Sequence, residues 1–160
     1  MLERLVGEDV EVRLGLDAGN PTVNADPHQL EQVLMNLCTN AAHAMELTGG
    51  VLEVGLTNVT LGPGDPQPYP DLEPGGYVRL TVTDTGHGIE SAVMQKIFEP
   101  YFTTKSSGTG LGLAIARRII TAHGGHLQVN PRPGNTVTIQ FQLPLFSNRH
   151  THSNHGYHSA

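Results

Sequence analysis

The strand pattern of this chain constrains its fold more than any other feature. Five short segments alternate apolar and polar residues, which predicts β-strands with one buried face. Their apolar positions are Val10, Val12, Leu14 and Leu16; Leu52, Val54 and Leu56, with Val59 as an extension; Val78, Leu80 and Val82; Leu127 and Val129; and Val137, Ile139, Phe141 and Leu143. Non-helical connections join the second segment to the third and the fourth to the fifth. Such pairs are antiparallel, which excludes a doubly wound parallel sheet.

Three helical segments complete the predicted architecture. An acid before a proline, Asp26-Pro27, is typical of a helix start, and apolar residues at helical spacing follow it. The three predicted helices run from Asp26 to about Met45, around Ser91 to Ile97, and from near Leu111 to Gly124-Gly125. We therefore predict an α/β (α+β) two-layer sandwich, with a mixed, mostly antiparallel sheet of about five strands and three helices on one face.

Composition and charge favour one folded domain without a membrane span. The 160 residues are 38% hydrophobic and 15% charged, which suits a single core. The net charge of −6, without a Lys/Arg cluster, argues against nucleic-acid binding. No apolar run reaches the roughly 18 residues of a transmembrane helix, and the single cysteine, Cys38, fits a reducing cytoplasm. We divide the chain into an N-terminal link (1–8), a folded domain (9–146) and a disordered His-rich tail (147–160).

Two glycine-rich segments indicate nucleotide chemistry. GTGLGL, from Gly108 to Leu113, stands directly before the third helix, where the backbone N–H groups of a helix N-terminus can bind phosphates. DTGHGI, from Asp84 to Ile89, ends the third strand, and a carboxylate there can accept a hydrogen bond from an exocyclic amine such as that of adenine. Taken singly, the first segment is also typical of a flexible linker and the second of an Asx turn.

A polar stripe follows the first helix beside its apolar face. Its members, at helical spacing, are Gln29, Gln32, Asn36, Asn40 and His43. Asparagine is a poor helix former, so two of them one turn apart need a reason. Amide oxygens at that spacing suit a hydrated Mg²⁺, which prefers oxygen ligands and keeps its waters. A solvated helix face is the alternative.

The segment IFEPYFTTK, from Ile97 to Lys105, places three aromatic residues around a proline. This composition predicts a hydrophobic anchor at the base of a mobile loop, from which Lys105 reaches a phosphate. A core plug with an exposed lysine is the alternative.

In this order, the four segments resemble the boxes of the catalytic domain of sensor histidine kinases, within the superfamily of gyrase, Hsp90, histidine kinase and MutL ATPases (the Bergerat fold). QLEQVLMNLCTNAAHAM resembles the N box, DTGHGI the G1 box, IFEPYFTTK the F box and GTGLGLAIARRIITAHGG the G2 box. The resemblance covers about Leu2 to Phe146. The segment LEPGGYVRLTVTDTG resembles kinases of the nitrogen-regulatory and hybrid type more than the serine kinases.

The resemblance implies an ATP site, residue by residue. Asn36, Asn40 and Lys105 would be catalytic, with Asn40 coordinating Mg²⁺ between the ATP phosphates and Asp84 binding the adenine amine. The implied ATP-binding residues are Asn36, Asn40, His43, Asp84, Gly86, Gly88, Ile89, Tyr101, Phe102, Thr104, Lys105, Gly108, Thr109, Gly110, Leu111, Gly112, Leu113 and Thr136. Two positions depart from the family pattern. His43 replaces a more basic residue, and the segment before the last strand, Arg132 to Thr136, lacks a second glycine.

Asn36 also bears on the reaction. The ATP-hydrolysing branches of the superfamily have a glutamate general base at this position, and an amide cannot act as one. The resemblance therefore implies a domain that binds ATP, hydrolyses it negligibly, and donates the γ-phosphate to a histidine brought in line by a dimerisation domain. No acceptor motif occurs in the chain, so we expect a fragment, with residues 1–8 linking it to the dimerisation helices.

Other functions and the implied partners complete the sequence-based expectations. The alternatives are a degenerate regulatory module that binds a nucleotide or second messenger, and an ATPase or stand-alone protein kinase such as an anti-sigma-factor kinase. The implied partners are the dimerisation and phosphoacceptor domain of the same kinase and, indirectly, a response regulator. We expect no nucleic-acid or membrane contact, a monomeric fragment, and a cytoplasmic location within a free or membrane-anchored kinase.

Overall fold

The computed structural model describes residues 8–62, 72–100, 112–132 and 136–146. The strands are β1 Val10–Leu16, β2 Gly50–Leu61, β3 Gly75–Asp84, β4 His126–Arg132 and β5 Thr136–Pro144, and the helices are α1 Pro27–Ala44, α2 Ser91–Met94 and α3 Gly112–Ala122. Residues 1–7 and 147–160 lie outside the described part, so the division into link, domain and tail stays a prediction. No helix in the described ranges is long and apolar enough to span a membrane.

The five strands form one mixed sheet in the order β1-β2-β3-β5-β4. β1 and β2 are parallel, whereas β2 with β3, β3 with β5 and β4 with β5 are antiparallel. The predicted mixed, mostly antiparallel sheet is thereby confirmed. β2 is longer than its apolar alternation indicated, because its pairing with β3 continues from Leu52 as far as Leu61.

Helix α1 begins where the sequence predicted. The Asp26 carboxylate accepts hydrogen bonds from the backbone N–H groups of His28 (2.9 Å) and Gln29 (3.3 Å), as expected for an N-cap. After the helix, the Gly49 N–H donates to the Met45 carbonyl at 2.8 Å, and Gly49 has a φ of 67°. Glycine adopts this left-handed conformation without strain, so the chain turns directly into β2.

The main core lies between the helices and one face of the sheet. Its buried members include Val33, Leu37, Ala41 and Met45 from α1 and its end, Ala116, Ile119 and Ile120 from α3, and Leu52, Val54, Val82, Leu127, Val129, Val137, Ile139, Phe141 and Leu143 from the sheet. This layer confirms the two-layer sandwich.

The prediction of one buried face along β1 is wrong for the second half of the strand. Val10 and Val12 pack against the core, but Leu14 is 59% exposed and Leu16 is 67% exposed. The reason is the position of β1 at the edge of the sheet. Among the strands α1 packs chiefly over the central strand β3, whereas β1 packs chiefly against its neighbour β2.

Candidate functional site

Asp84 is a buried carboxylate at the end of β3. The residue is 2% exposed, and its Oδ1 accepts a hydrogen bond from the Gly86 backbone N–H at 3.0 Å. Burial raises the pKa of Asp84, while the Gly86 N–H and the nearby His87 lower it in part. Burying a charged carboxylate is costly unless it is paired and hydrogen-bonded, and carboxyl groups with perturbed pKa values cluster at functional sites. Asp84 is therefore a buried hydrogen-bond acceptor, and its assignment to the adenine amine stays a prediction.

The turn after Asp84 is fixed against the C-terminal end of α1. A Cβ on Gly86 would lie 2.3 Å from the Ala44 carbonyl oxygen, so only glycine fits there. The His87 N–H donates to the same oxygen at 3.0 Å. Gly88 has a φ of 77°, which glycine alone adopts readily. We expected these two glycines to shape a pocket for the base. The backbone at each position also requires a glycine, through close packing at Gly86 and a positive φ at Gly88.

The polar stripe of α1 approaches the start of α3. Asn36, Asn40 and His43 are all half-buried. The side-chain amide of Asn36 donates a hydrogen bond to the carbonyl of Gly112, the first residue of α3, at 3.2 Å. This half of the stripe is therefore not simply a solvated helix face, whereas Gln29 and Gln32 are exposed. The assignment of Asn36 and Asn40 to catalysis stays a prediction.

α1 consequently connects two parts of the candidate site in a fixed order. Gly112 lies against Asn36, and Gly86 lies against Ala44. These two positions on α1 are eight residues apart, which corresponds to about 12 Å of helix rise. Asn40 lies midway between them. The carboxylate end and the glycine-rich end of the site thus flank the residue that was expected to bind the metal.

The remaining described site residues lie in the same region. Ile89 and Leu113 are half-buried and pack against the main core. Thr136 is half-buried at the start of β5 and directly precedes Val137, which pairs with Asp84 across the sheet. This pairing places Thr136 at the Asp84 end of the sheet, and its role in ATP binding stays a prediction.

Eight predicted ATP-binding residues lie outside the described part of the chain: Tyr101, Phe102, Thr104, Lys105, Gly108, Thr109, Gly110 and Leu111. The start of the predicted aromatic anchor is described. Ile97 is 9% exposed, and Phe98 packs against the main core. The guanidinium carbon of Arg117 lies 4.7 Å from the centre of the Phe98 ring, a cation–π contact that joins this segment to α3. Sequence reasoning missed Arg117, because nothing in the local pattern indicates its partner.

Comparisons with known proteins show the family to which the chain belongs. Residues 25–146 match the family described as histidine kinase-, DNA gyrase B-, and HSP90-like ATPase. The chain is 40% identical to sensor kinase CckA of Brucella abortus (strain 2308) over 90% of the chain and 15% of that protein. It is 38% identical to sensor histidine kinase ZraS of Escherichia coli (strain K12) over 89% of the chain and 28% of that protein. The chain thus spans less than a third of either relative.

Solved structures show the same fold. The catalytic domain of histidine kinase ThkA, in a nucleotide-free form, aligns with a TM-score of 0.65 at 32% identity, over 89% of this chain and 82% of that one. Full-length ShkA in complex with AMPPNP aligns with a TM-score of 0.65 at 29% identity, over 89% and 27%. The chain therefore belongs to the histidine kinase-, DNA gyrase B- and HSP90-like ATPase family, as an ATP-binding catalytic domain of the sensor histidine kinase class.

Proposed function

We propose that this domain binds Mg-ATP along α1 and donates the γ-phosphate to a histidine on a dimerisation domain of the same kinase. The main support for this proposal is the order of contacts along α1. The buried Asp84 and its turn are fixed at Ala44, and the N-terminus of α3 is fixed at Asn36. ATP has the same order, with its base at one end and its phosphates at the other.

The base end recognises adenine through Asp84 in this proposal. The carboxylate accepts from the exocyclic amine, and the backbone at Gly86 and Gly88 shapes the pocket for the base. Thr136, on the strand paired with β3, borders the same end of the sheet. ShkA, which shares the fold, binds the ATP analogue AMPPNP, and this supports a nucleotide at the corresponding position here.

The phosphate end uses the N-terminus of α3 and a magnesium ion. The first N–H groups of a helix have no partners within it and carry partial positive charge, which suits phosphate oxygens. Mg²⁺ is commonly held by one or two protein oxygens, several waters and the substrate phosphates. The half-buried Asn40 amide, between the two ends, fits that limited role. His43 lies one turn further along the same helix, as a weaker neighbour of the phosphates, and Lys105 would reach the terminal phosphate.

The reaction is a transfer to a partner rather than a hydrolysis. Phosphoryl transfer depends on positioning and charge neutralisation, and activating a water would need a general base. Asn36 occupies the corresponding position on α1, and an amide has no basic lone pair at neutral pH. The acceptor is then a histidine of a dimerisation domain, with a response regulator acting later. We place the reaction in the cytoplasm, in keeping with the reduced, buried Cys38.

Calorimetry and phosphate release together test this function. We expect the isolated chain to bind Mg-ATP, with weaker binding when EDTA removes the metal and with negligible phosphate release. Asn40→Ala should remove most of the difference between Mg-ATP and metal-free ATP. The matched control is Gln32→Ala, which truncates an exposed amide two turns earlier on α1. Absence of ATP binding would refute the function, and rapid phosphate release would instead favour an ATPase.

A further inference from the structure

The hydrogen bond between α1 and α3 indicates how the two helices are held together at the site. Asn36 and Gly112 are 76 residues apart in sequence, and their contact joins the two helices. The Asn36 residue is half-buried, and an ideal Cβ on Gly112 would lie 3.9 Å from both its Cβ and its Cγ. A methyl group at position 112 would therefore just reach the Asn36 side chain, and the hydrogen bond is the direct contact between the two residues.

The partner atom determines which chemical groups can occupy position 36. A carbonyl oxygen only accepts hydrogen bonds, so the Asn36 atom that faces it must be the amide nitrogen. A carbonyl has two lone pairs, so Gly112 can accept from Asn36 and still accept from the N–H four residues later within α3. A carboxylate at position 36 would present an acceptor to an acceptor and lose the contact.

We propose that Asn36 is a positioning residue, which holds the N-terminal turn of α3 at a fixed distance from Asn40 through the Gly112 carbonyl. This inference rests on the proposed function, because it assigns phosphate binding to the start of α3 and metal binding to Asn40. Asn36 then acts on the phosphates through backbone geometry. A glutamate at this position would supply a base but lose this contact, so it would not by itself make the domain an ATPase.

Three variants separate this role from the alternatives. Asn36→Ala removes the donor without adding charge, Asn36→Gln keeps an amide donor on a longer side chain, and Gln32→Ala is the matched control on the same helix. Each is titrated with ATP and with adenosine, in the presence of Mg²⁺ and in EDTA. A single hydrogen bond of this kind predicts an about fivefold loss of ATP affinity in Asn36→Ala.

The pattern of losses distinguishes positioning from other roles. A positioning role predicts the loss for ATP with and without Mg²⁺, no loss for adenosine, and recovery in Asn36→Gln. A purely structural role would weaken ATP and adenosine equally. A metal ligand would lose affinity only in the presence of Mg²⁺. Either of these patterns, or unchanged ATP binding by Asn36→Ala, overturns the proposal.

Amide hydrogen exchange measured by NMR tests the contact without any nucleotide. The N–H groups of Ala116, Arg117 and Arg118 bond to the carbonyls of the first turn of α3 in an α-helix. Their exchange should be about fivefold faster in Asn36→Ala than in the wild-type chain or Gln32→Ala. Equal exchange rates refute the inference. If exchange is faster but the wild-type chain binds no ATP, the contact stands and the proposed function fails instead.

Discussion

Replacing Asp84 with asparagine exchanges an acceptor for a donor at the base end of the site. Asparagine has the same shape, and its Oδ1 can still accept from the Gly86 N–H that now bonds to Asp84. Its amide nitrogen then faces the adenine amine, which is also a donor. A hydrogen bond to a charged group contributes about 1.5–3 kcal/mol, so we expect ATP affinity to fall roughly 10- to 150-fold.

The same substitution should stabilise the fold at neutral pH. Burial raises the pKa of Asp84 above the 3.8 of the unfolded chain, so the native state binds the proton more tightly than the unfolded state. The free energy of unfolding therefore decreases as pH rises from 3.8 through the folded-state pKa. Above the folded-state pKa, the buried carboxylate is charged and destabilises the native state by its full amount. The asparagine side chain of the variant carries no such charge. The gain in stability of the variant should disappear toward low pH.

Calorimetry with two nucleotides and urea unfolding measure both effects. ITP, with a 6-oxo group in place of the amine, offers an acceptor to the new amide, so Asp84→Asn should lose the preference for ATP over ITP. Asp17→Asn, which removes an exposed carboxylate, is the control and should change neither quantity. Equal ATP affinity in Asp84→Asn and the wild-type chain would refute the assignment of the adenine site. Lower stability of the variant at neutral pH would refute the cost assigned to the buried charge.

Three further substitutions have distinct expected outcomes. Gly86→Ala brings a Cβ to 2.3 Å from the Ala44 carbonyl oxygen, so urea unfolding should show a loss of about 1–3 kcal/mol; unchanged stability would contradict this packing. In Gly112→Ala the added Cβ meets only ordinary contacts at 3.9 Å, so the variant should be as stable as the wild-type chain. It should bind ATP more weakly, because the methyl group stands at the proposed phosphate end of the site. A loss of stability would contradict the packing at Gly112. Asn36→Glu should release no more phosphate than the wild-type chain, and a clear rise in ATPase rate would contradict the role of the Gly112 contact.

Local chemistry explains what the sequence predicted correctly. The alternation in β5 placed Val137, Ile139 and Phe141 on the core face, where all three are buried. The Asp26-Pro27 signal located the start of α1, because an N-cap bond joins residues two and three positions apart. The resemblance of the four boxes predicts an adenine-binding role for Asp84, and that role stays a prediction.

Long-range packing explains what the sequence did not predict. The exposure of Leu16 depends on the position of β1 at the edge of the sheet, which alternation within β1 does not encode. Burial of the polar face of β5, where Gln142 is 0% exposed, likewise depends on neighbouring strands. The contacts of Gly86 with Ala44 and of Asn36 with Gly112 join distant segments, so only the folded chain shows why those residues are needed.

Transfer of phosphate to a histidine is the central claim, and one labelling reaction tests it directly. The chain is incubated with γ-³²P-ATP, Mg²⁺ and a separately prepared dimerisation domain of a homologous sensor histidine kinase that lacks its own catalytic domain. We predict label on the dimerisation domain that is lost in acid and kept in base, as expected for phosphohistidine, and that is absent with Asp84→Asn. Label released as free phosphate, or an unlabelled acceptor while the chain binds Mg-ATP, would contradict the account.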